Sequence, residues 1–148
     1  MKRGSAWTSV ALAATLLGAC GNSSPMQPDV MVVRGGTTSF GAGFTQIEIT
    51  PTQVVFIRNR SSQPEERVTG AVSPSEWRAL VNAIDEAQLR AASSTSRCRL
   101  CPVDGPGEWV EVTIGSAATR VMFDFGATVE PIQPLVDAVR RIRQRFEG

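Results

Sequence analysis

Chemistry is available to this chain at few points, and the most conspicuous is Cys98-Arg99-Leu100-Cys101, preceded by Arg97 and followed by Pro102-Val103-Asp104-Gly105-Pro106-Gly107. A Cys-x-x-Cys pair can act as a redox dithiol, as half of a zinc site or as a haem attachment point, and each use demands particular neighbours. A redox dithiol sets its first cysteine at a helix N-terminus, whereas the Gly- and Pro-rich stretch after Cys101 predicts a loop. Haem attachment needs His directly after the second cysteine, and that position is Pro102. A structural zinc site needs four ligands, but the chain has three Cys and no His. A disulfide between Cys98 and Cys101 is therefore the main reading for an exported chain, although closing so short a loop contributes only about 2 kcal/mol of chain entropy. The two flanking arginines favour thiolate, so a thiol–disulfide redox role is the alternative.

The remaining chemical groups are sparse. There is no His and no Tyr, and the single Lys is Lys2, which removes the commonest general base, the commonest metal ligand and Schiff-base chemistry together. Asp104, Glu108, Asp124 and Glu130 are scattered over predicted loops and strands, and their spacing pairs no two of them. Gly35-Gly36-Thr37-Thr38-Ser39-Phe40-Gly41-Ala42-Gly43 lacks the Lys-Ser/Thr ending of a phosphate loop and opens no helix, so it reads as a flexible connection. No catalytic residue, metal ligand or cofactor is assigned, and the chain is expected not to be an enzyme.

The third cysteine belongs to a different pattern. Lys2 and Arg3 precede sixteen uncharged residues, Gly4 to Ala19, which end in Leu17-Gly18-Ala19-Cys20. That run is shorter than the roughly 20 residues needed to cross a bilayer core. Its layout is that of a secretory signal with a small-residue cleavage site, and the cysteine directly behind it makes the segment resemble a bacterial lipoprotein signal. The resemblance implies cleavage before Cys20 and acylation of its thiol, by chains such as palmitate, with lasting attachment to the cell envelope. With Gly21 where an Asp would retain the protein at the inner membrane, it implies the outer membrane facing the periplasm if the source has two membranes. The expected organisation is a signal peptide over 1–19, a lipidated cysteine and flexible tether over 20–29, and one globular domain over 30–148.

Without the signal, thirteen Arg stand against fourteen acids, a balance that offers nucleic acid no general attraction. The expected contacts are the membrane, through the lipid, and an envelope protein.

Patterning then supplies the elements. Val30 to Arg34 is a short strand-type run. Thr45, Ile47 and Ile49 alternate with Gln46 and Glu48 as in a half-buried strand, Val54 to Ile57 is a more uniformly apolar strand, and Arg67 to Val72 extends the meander. Arg58, Arg60 and Arg67, near Glu65 and Glu66, read as solvated charge at one sheet end. Ser73-Pro74-Ser75-Glu76 is a capping box with Pro at the first helical position. Behind it, Trp77, Leu80, Val81 and Ile84 recur at helical spacing, and the helix fades between Leu89 and Ala92. Trp109 to Ile114 alternates again, Gly115 to Ala118 turns, and Val121, Phe123 and Phe125 answer from the partner strand. A last helix starts near Gln133 with Leu135, Val136, Val139, Ile142 and Phe146 as its apolar stripe. Asp137 and Arg141 form an i, i+4 pair, and Arg140, Arg141, Arg143 and Arg145 complement the helix dipole. The expected fold is α+β: a mainly antiparallel sheet of four to five strands with two amphipathic helices on one face.

This order of elements, with Arg34-Gly35-Gly36 early and two Pro-started helices, resembles a group of small uncharacterised bacterial lipoproteins. It is also similar to emfourin-type inhibitors of thermolysin-like metalloproteases, over about Val30 to Phe146. Their Gly-Gly-Phe-Ala-Gly stretch is interrupted here, because Thr37, Thr38 and Ser39 separate Gly36 from Phe40-Gly41-Ala42-Gly43. The expected role is a non-enzymatic binding domain, with inhibition of such a protease or thiol–disulfide redox chemistry as alternatives. One measurement separates the last of these: the Cys98–Cys101 pair should show a reduction potential below about −300 mV, as a structural bridge does, and a value near about −270 mV would mark a redox dithiol instead.

Overall fold

The computed structural model describes residues 31–39, 43–93 and 106–148. The leader, the tether and all three cysteines lie outside these residues, as do the proposed cleavage, acylation and disulfide. Six strands form one antiparallel sheet: β1 (Met31–Ser39), β2 (Gly43–Ile49), β3 (Gln53–Asn59), β4 (Glu66–Ala71), β5 (Gly107–Ile114) and β6 (Ala117–Asp124), in the spatial order β4-β3-β2-β1-β5-β6. Among the described residues three α-helices accompany them: α1 (Pro74–Asn82), α2 (Glu86–Ser93) and α3 (Gln133–Gln144). The expected α+β class with an antiparallel sheet is found, with more strands and one more helix than patterning suggested.

Each difference has a local cause. β1 does not stop at Arg34 but runs through Gly35 and Gly36 to Ser39, paired with β2 on one side and β5 on the other. The two glycines are thus not a connection; a neighbour on both sides supplies the ladder bonds that offset their low strand propensity. The single helix expected after Ser73 is two, because Asp85 caps a second one. Its carboxylate accepts from the Gln88 N–H at 3.0 Å, while Ala83 N–H closes the first helix on Ala79 O at 3.2 Å. Phe125 is not an inward strand residue: β6 ends at Asp124, whose carbonyl accepts from Ala127 N–H at 3.0 Å, and this turn leaves Phe125 56% exposed.

Other expectations hold closely. The capping box forms in both directions, with Glu76 N–H donating to Ser73 Oγ at 3.2 Å and Ser73 N–H to Glu76 Oε2 at 2.8 Å. Gly115 has φ +59° at the first position of the two-residue turn joining β5 and β6, the conformation a tight hairpin assigns to glycine.

One sheet face carries Val33, Ile47, Ile49, Val54, Phe56, Val110, Val112, Val121 and Phe123. Its core is completed by Trp77 and Leu80 of α1, Leu89 and Ala92 of α2, and Leu135, Val136, Val139 and Ile142 of α3. All three helices therefore lie on the same side of the sheet. Helix and sheet come close at Gly35, where a Cβ would sit 2.6 Å from Val139 Cγ1 and 3.3 Å from Trp109 O. Val139 is β-branched and stiff, so it has little freedom to yield. Gly35→Val should therefore overpack the α3–β1 contact and lower stability by about 1–3 kcal/mol, read as a lower denaturant midpoint with unchanged slope.

Candidate functional site

Two charged assemblies stand out, one on each face of the sheet. Beneath α3, Glu108 of β5 is 3% exposed although it is a carboxylate. Arg140 Nη2 donates to Glu108 Oε2 at 2.6 Å and Arg140 Nε to Oε1 at 3.1 Å, while Arg143 Nη1 donates to Oε1 at 3.0 Å. Arg140 also donates to Ala127 O at 3.1 Å, and Arg143 Nε lies 2.9 Å from Glu147 Oε1. Burial alone would raise the Glu108 pKa, but the bonds to Arg140, the charge of Arg143 and the Gly126 N–H together hold it below the usual carboxylate range. The same contact raises Arg140. Two cations against two carboxylates leave the group near neutrality, with its central carboxylate sealed from solvent, while Arg143 Nε is buried without a hydrogen bond. Such a group clamps α3 onto β5; it has no surplus valence for acid–base work on an outside substrate.

The helix-free face is different. Register places Arg120 of β6, Glu111 of β5, Arg34 of β1 and Glu48 of β2 in one row across four neighbouring strands. Each is paired with the next: Arg120 Nε to Glu111 Oε2 at 2.9 Å, Arg34 Nη1 to Glu111 Oε1 at 3.3 Å, and Arg34 Nε to Glu48 Oε2 at 2.8 Å. Bonding to Glu48, with a smaller opposing cost of burial, raises the Arg34 pKa. In the adjacent row the Trp109 indole lies across Gly36, 3.0 Å from where a Cβ would stand, and the Arg120 guanidinium covers the ring at 4.3 Å. Trp109 is thus buried on the face that no helix covers. Phe44 and Met122, on the same face, are 37% and 40% exposed.

The groups singled out by sequence are not assembled into one site. Glu108 is in the buried clamp, Asp124 ends β6, and Glu130 lines a shallow groove of about 610 Å³ between α1 and α3 with Asp137 and Arg141. Asp137 there accepts from Gln133 Nε2 at 2.7 Å rather than from Arg141, as the i, i+4 spacing suggested. Asp104 lies outside the described residues. Arg58 pairs with Glu66 at 2.6 Å, as the expected surface charge. Arg140 and Arg143, read from sequence as dipole partners, are turned inward onto Glu108; the usable signal was a Glu at an inward position of an alternating strand. Thr38 pairs with Gly107, so β1 ends and β5 begins at the same end of the sheet. Among the described residues there is no cluster of three or more metal-ligating side chains, and no helix is long and apolar enough to cross a membrane.

Comparison with protein-family models finds no match, and comparison with curated proteins finds none either.

The clamp makes a definite prediction for pH. Because the folded pKa of Glu108 is depressed, its stabilisation is complete above the ordinary carboxylate value of about 4.3 and is lost as pH falls through the lower folded value. Glu108→Ala, which strands two guanidinium groups beneath α3, should cost about 3–5 kcal/mol near neutral pH. Its stability should also fall less steeply below pH 4 than that of the unaltered chain, both being read by urea unfolding across pH.

Proposed function

We propose that this chain is a lipid-anchored envelope protein whose domain is a non-enzymatic binding module, working through the helix-free face of its sheet. One observation carries the reading: helices cover a single face of a six-stranded sheet, and the other keeps Phe44 exposed diagonally from the half-buried Ile57, with the half-buried Val55 two residues further along β3. Solvent-facing sheet surfaces ordinarily alternate polar residues outward, whereas here an apolar strip on β2 and β3 borders a row of paired ions. An apolar patch with a charged rim is the usual make-up of a protein-binding surface. Paired carboxylates also support binding over catalysis, since Glu48, Glu111 and Glu108 are each engaged by arginine. The lipid anchor rests on Leu17-Gly18-Ala19-Cys20. Acylation would hold the domain at the membrane, with residues 21–30 spanning up to about 35 Å if extended.

Mass spectrometry of the native product should find Cys20 as its first residue, carrying acyl chains; an intact Met1 with a bare Cys20 thiol would overturn the anchor. The full chain, immobilised and exposed to envelope extract, should retain a partner that Phe44→Asp combined with Ile57→Asp loses by at least about tenfold, or ~1.4 kcal/mol. Equal retention by the double variant would overturn the assignment to this face.

A further inference from the structure

The sheet ends on one side at β4, a strand of six residues that is exposed along almost its whole length and holds no Pro or Lys. Its pairing with β3 fixes which main-chain groups are open. The Val72 N–H donates to Thr52 O at 3.2 Å, so Thr52 and Val72 continue the register as a hydrogen-bonded pair. Alternation then makes Val54 with Gly70, Phe56 with Val68 and Arg58 with Glu66 the bonded pairs. The N–H and C=O groups of Arg67, Thr69 and Ala71 therefore point away from the sheet. Ala71 agrees, because its carbonyl accepts from Arg145 Nη2 at 3.4 Å. Nothing among the described residues bonds the outward groups of Arg67 and Thr69. Between them Val68, opposite the core residue Phe56, is 36% exposed. An open edge of this kind accepts another strand.

We infer that two copies of this chain pair through β4, antiparallel about a two-fold axis at Val68, to form one continuous sheet. The main chain selects the register, since outward groups must meet outward groups. An axis at Val68 sets Arg67 opposite Thr69 of the second copy, twice by symmetry, and each such pair exchanges two bonds. An axis at Thr69 needs the Ala71 carbonyl, which Arg145 already holds. Axes at Glu66 or Arg67 set like charges opposite one another. Side chains then fit the Val68 axis. It places Glu66 of one copy opposite Gly70 of the other, beside Arg145, whose guanidinium lies over the Phe146 ring at 5.4 Å while that ring covers Gly70. Both charged groups have capacity left. Arg58 Nε and Nη2 both bond Glu66 Oε2, so Oε1 is open. Arg145 engages Ala71 O and Glu76 through two of its five N–H donors. Val68 meets its own copy at the closely spaced position, about 4.5 Å between Cα atoms. Two symmetric Glu66–Arg145 pairs make a second copy, rather than an unrelated strand, the match for this edge. In the joined sheet the two β3 strands lie about 14 Å apart, with the helix-free faces side by side whatever those faces bind.

Sedimentation of the full chain should give twice the monomer mass. Thr69→Pro removes one outward donor without touching the β3 ladder, and should weaken association at least about tenfold. Val68→Cys should form an intermolecular disulfide under mild oxidation, because its Cα separation across the axis suits one. Ala71→Cys, with its copies about 20 Å apart along the strands, should crosslink no more than the unaltered chain does. Arg145→Glu should dissociate the dimer, and Arg145→Glu combined with Glu66→Arg should restore it. The proposal is overturned by a monomer at concentrations up to about 100 µM, by crosslinking at position 71 in place of 68, or by charge reversal without rescue. A dimer that both Thr69→Pro and Arg145→Glu leave intact would also overturn it, since the contact would then lie elsewhere. If Thr69→Pro fails to fold, the crosslinking pair and the charge-swap pair decide between the same outcomes.

Discussion

The seat of α3 on β1 is the constraint from which most of this architecture follows. An apolar helix face must be covered, and α3 covers five of its residues (Leu135, Val136, Val139, Ile142 and the adjoining Ala138) against the sheet. It comes close enough to do so because β1 carries no side chain at Gly35, where Val139 sits. At the far end of the helix, Phe146 stacks on Phe56 with ring centroids 6.0 Å apart and covers Gly70, where a Cβ would be 2.8 Å from its ring. Glycines on two different strands thus accept groups from α3 and from the turn that follows it. α1 and α2 then fill the space on either side, tied in by Arg145 against Glu76 and by the contact of α2 with β6.

Electrostatics follow from the same one-sided arrangement. Where a helix covers the sheet, a strand carboxylate has no water and must be satisfied by the helix itself, which is why Glu108 collects Arg140 and Arg143. A buried pair of this kind adds little net energy compared with apolar residues, but losing one partner is costly. Where no helix covers the sheet, charges find one another across strands, and Arg34 is shared between Glu48 and Glu111 in half-solvated surroundings. Such pairs contribute little stability singly. Their row does give the open face a defined charge pattern, next to the row that holds Ile57 and the Arg120-covered Trp109.

A binding role suits this division. The helix-covered side is committed to the core, and its acids are committed to arginines. The helix-free side and the β6 strand keep apolar side chains in contact with water, as β4 does at Val68. They use different chemistry: the face offers side chains, whereas the edge offers main-chain donors and acceptors.

What could be read directly from the residues was local. The Ser73 capping box, the Gly115 hairpin turn, the alternation of Val110 and Val112, and the α3 stripe depend on neighbours within a few positions, so pattern alone specified them. Asp85-Glu86-Ala87-Gln88 was legible as a helix start too, but apolar periodicity continuing across it hid the break. What tertiary structure decided involves partners far apart in sequence. Gly35 and Gly36 look like a turn until two flanking strands supply their hydrogen bonds, and Trp109 looks like core until it is found on the opposite face under Arg120. Arg140 and Arg143 look like dipole partners until Glu108, more than thirty residues earlier, is placed beneath them. Backbone preference and amphipathic period act over one turn or one pleat. The destination of a charge depends on which surface the fold brings against it.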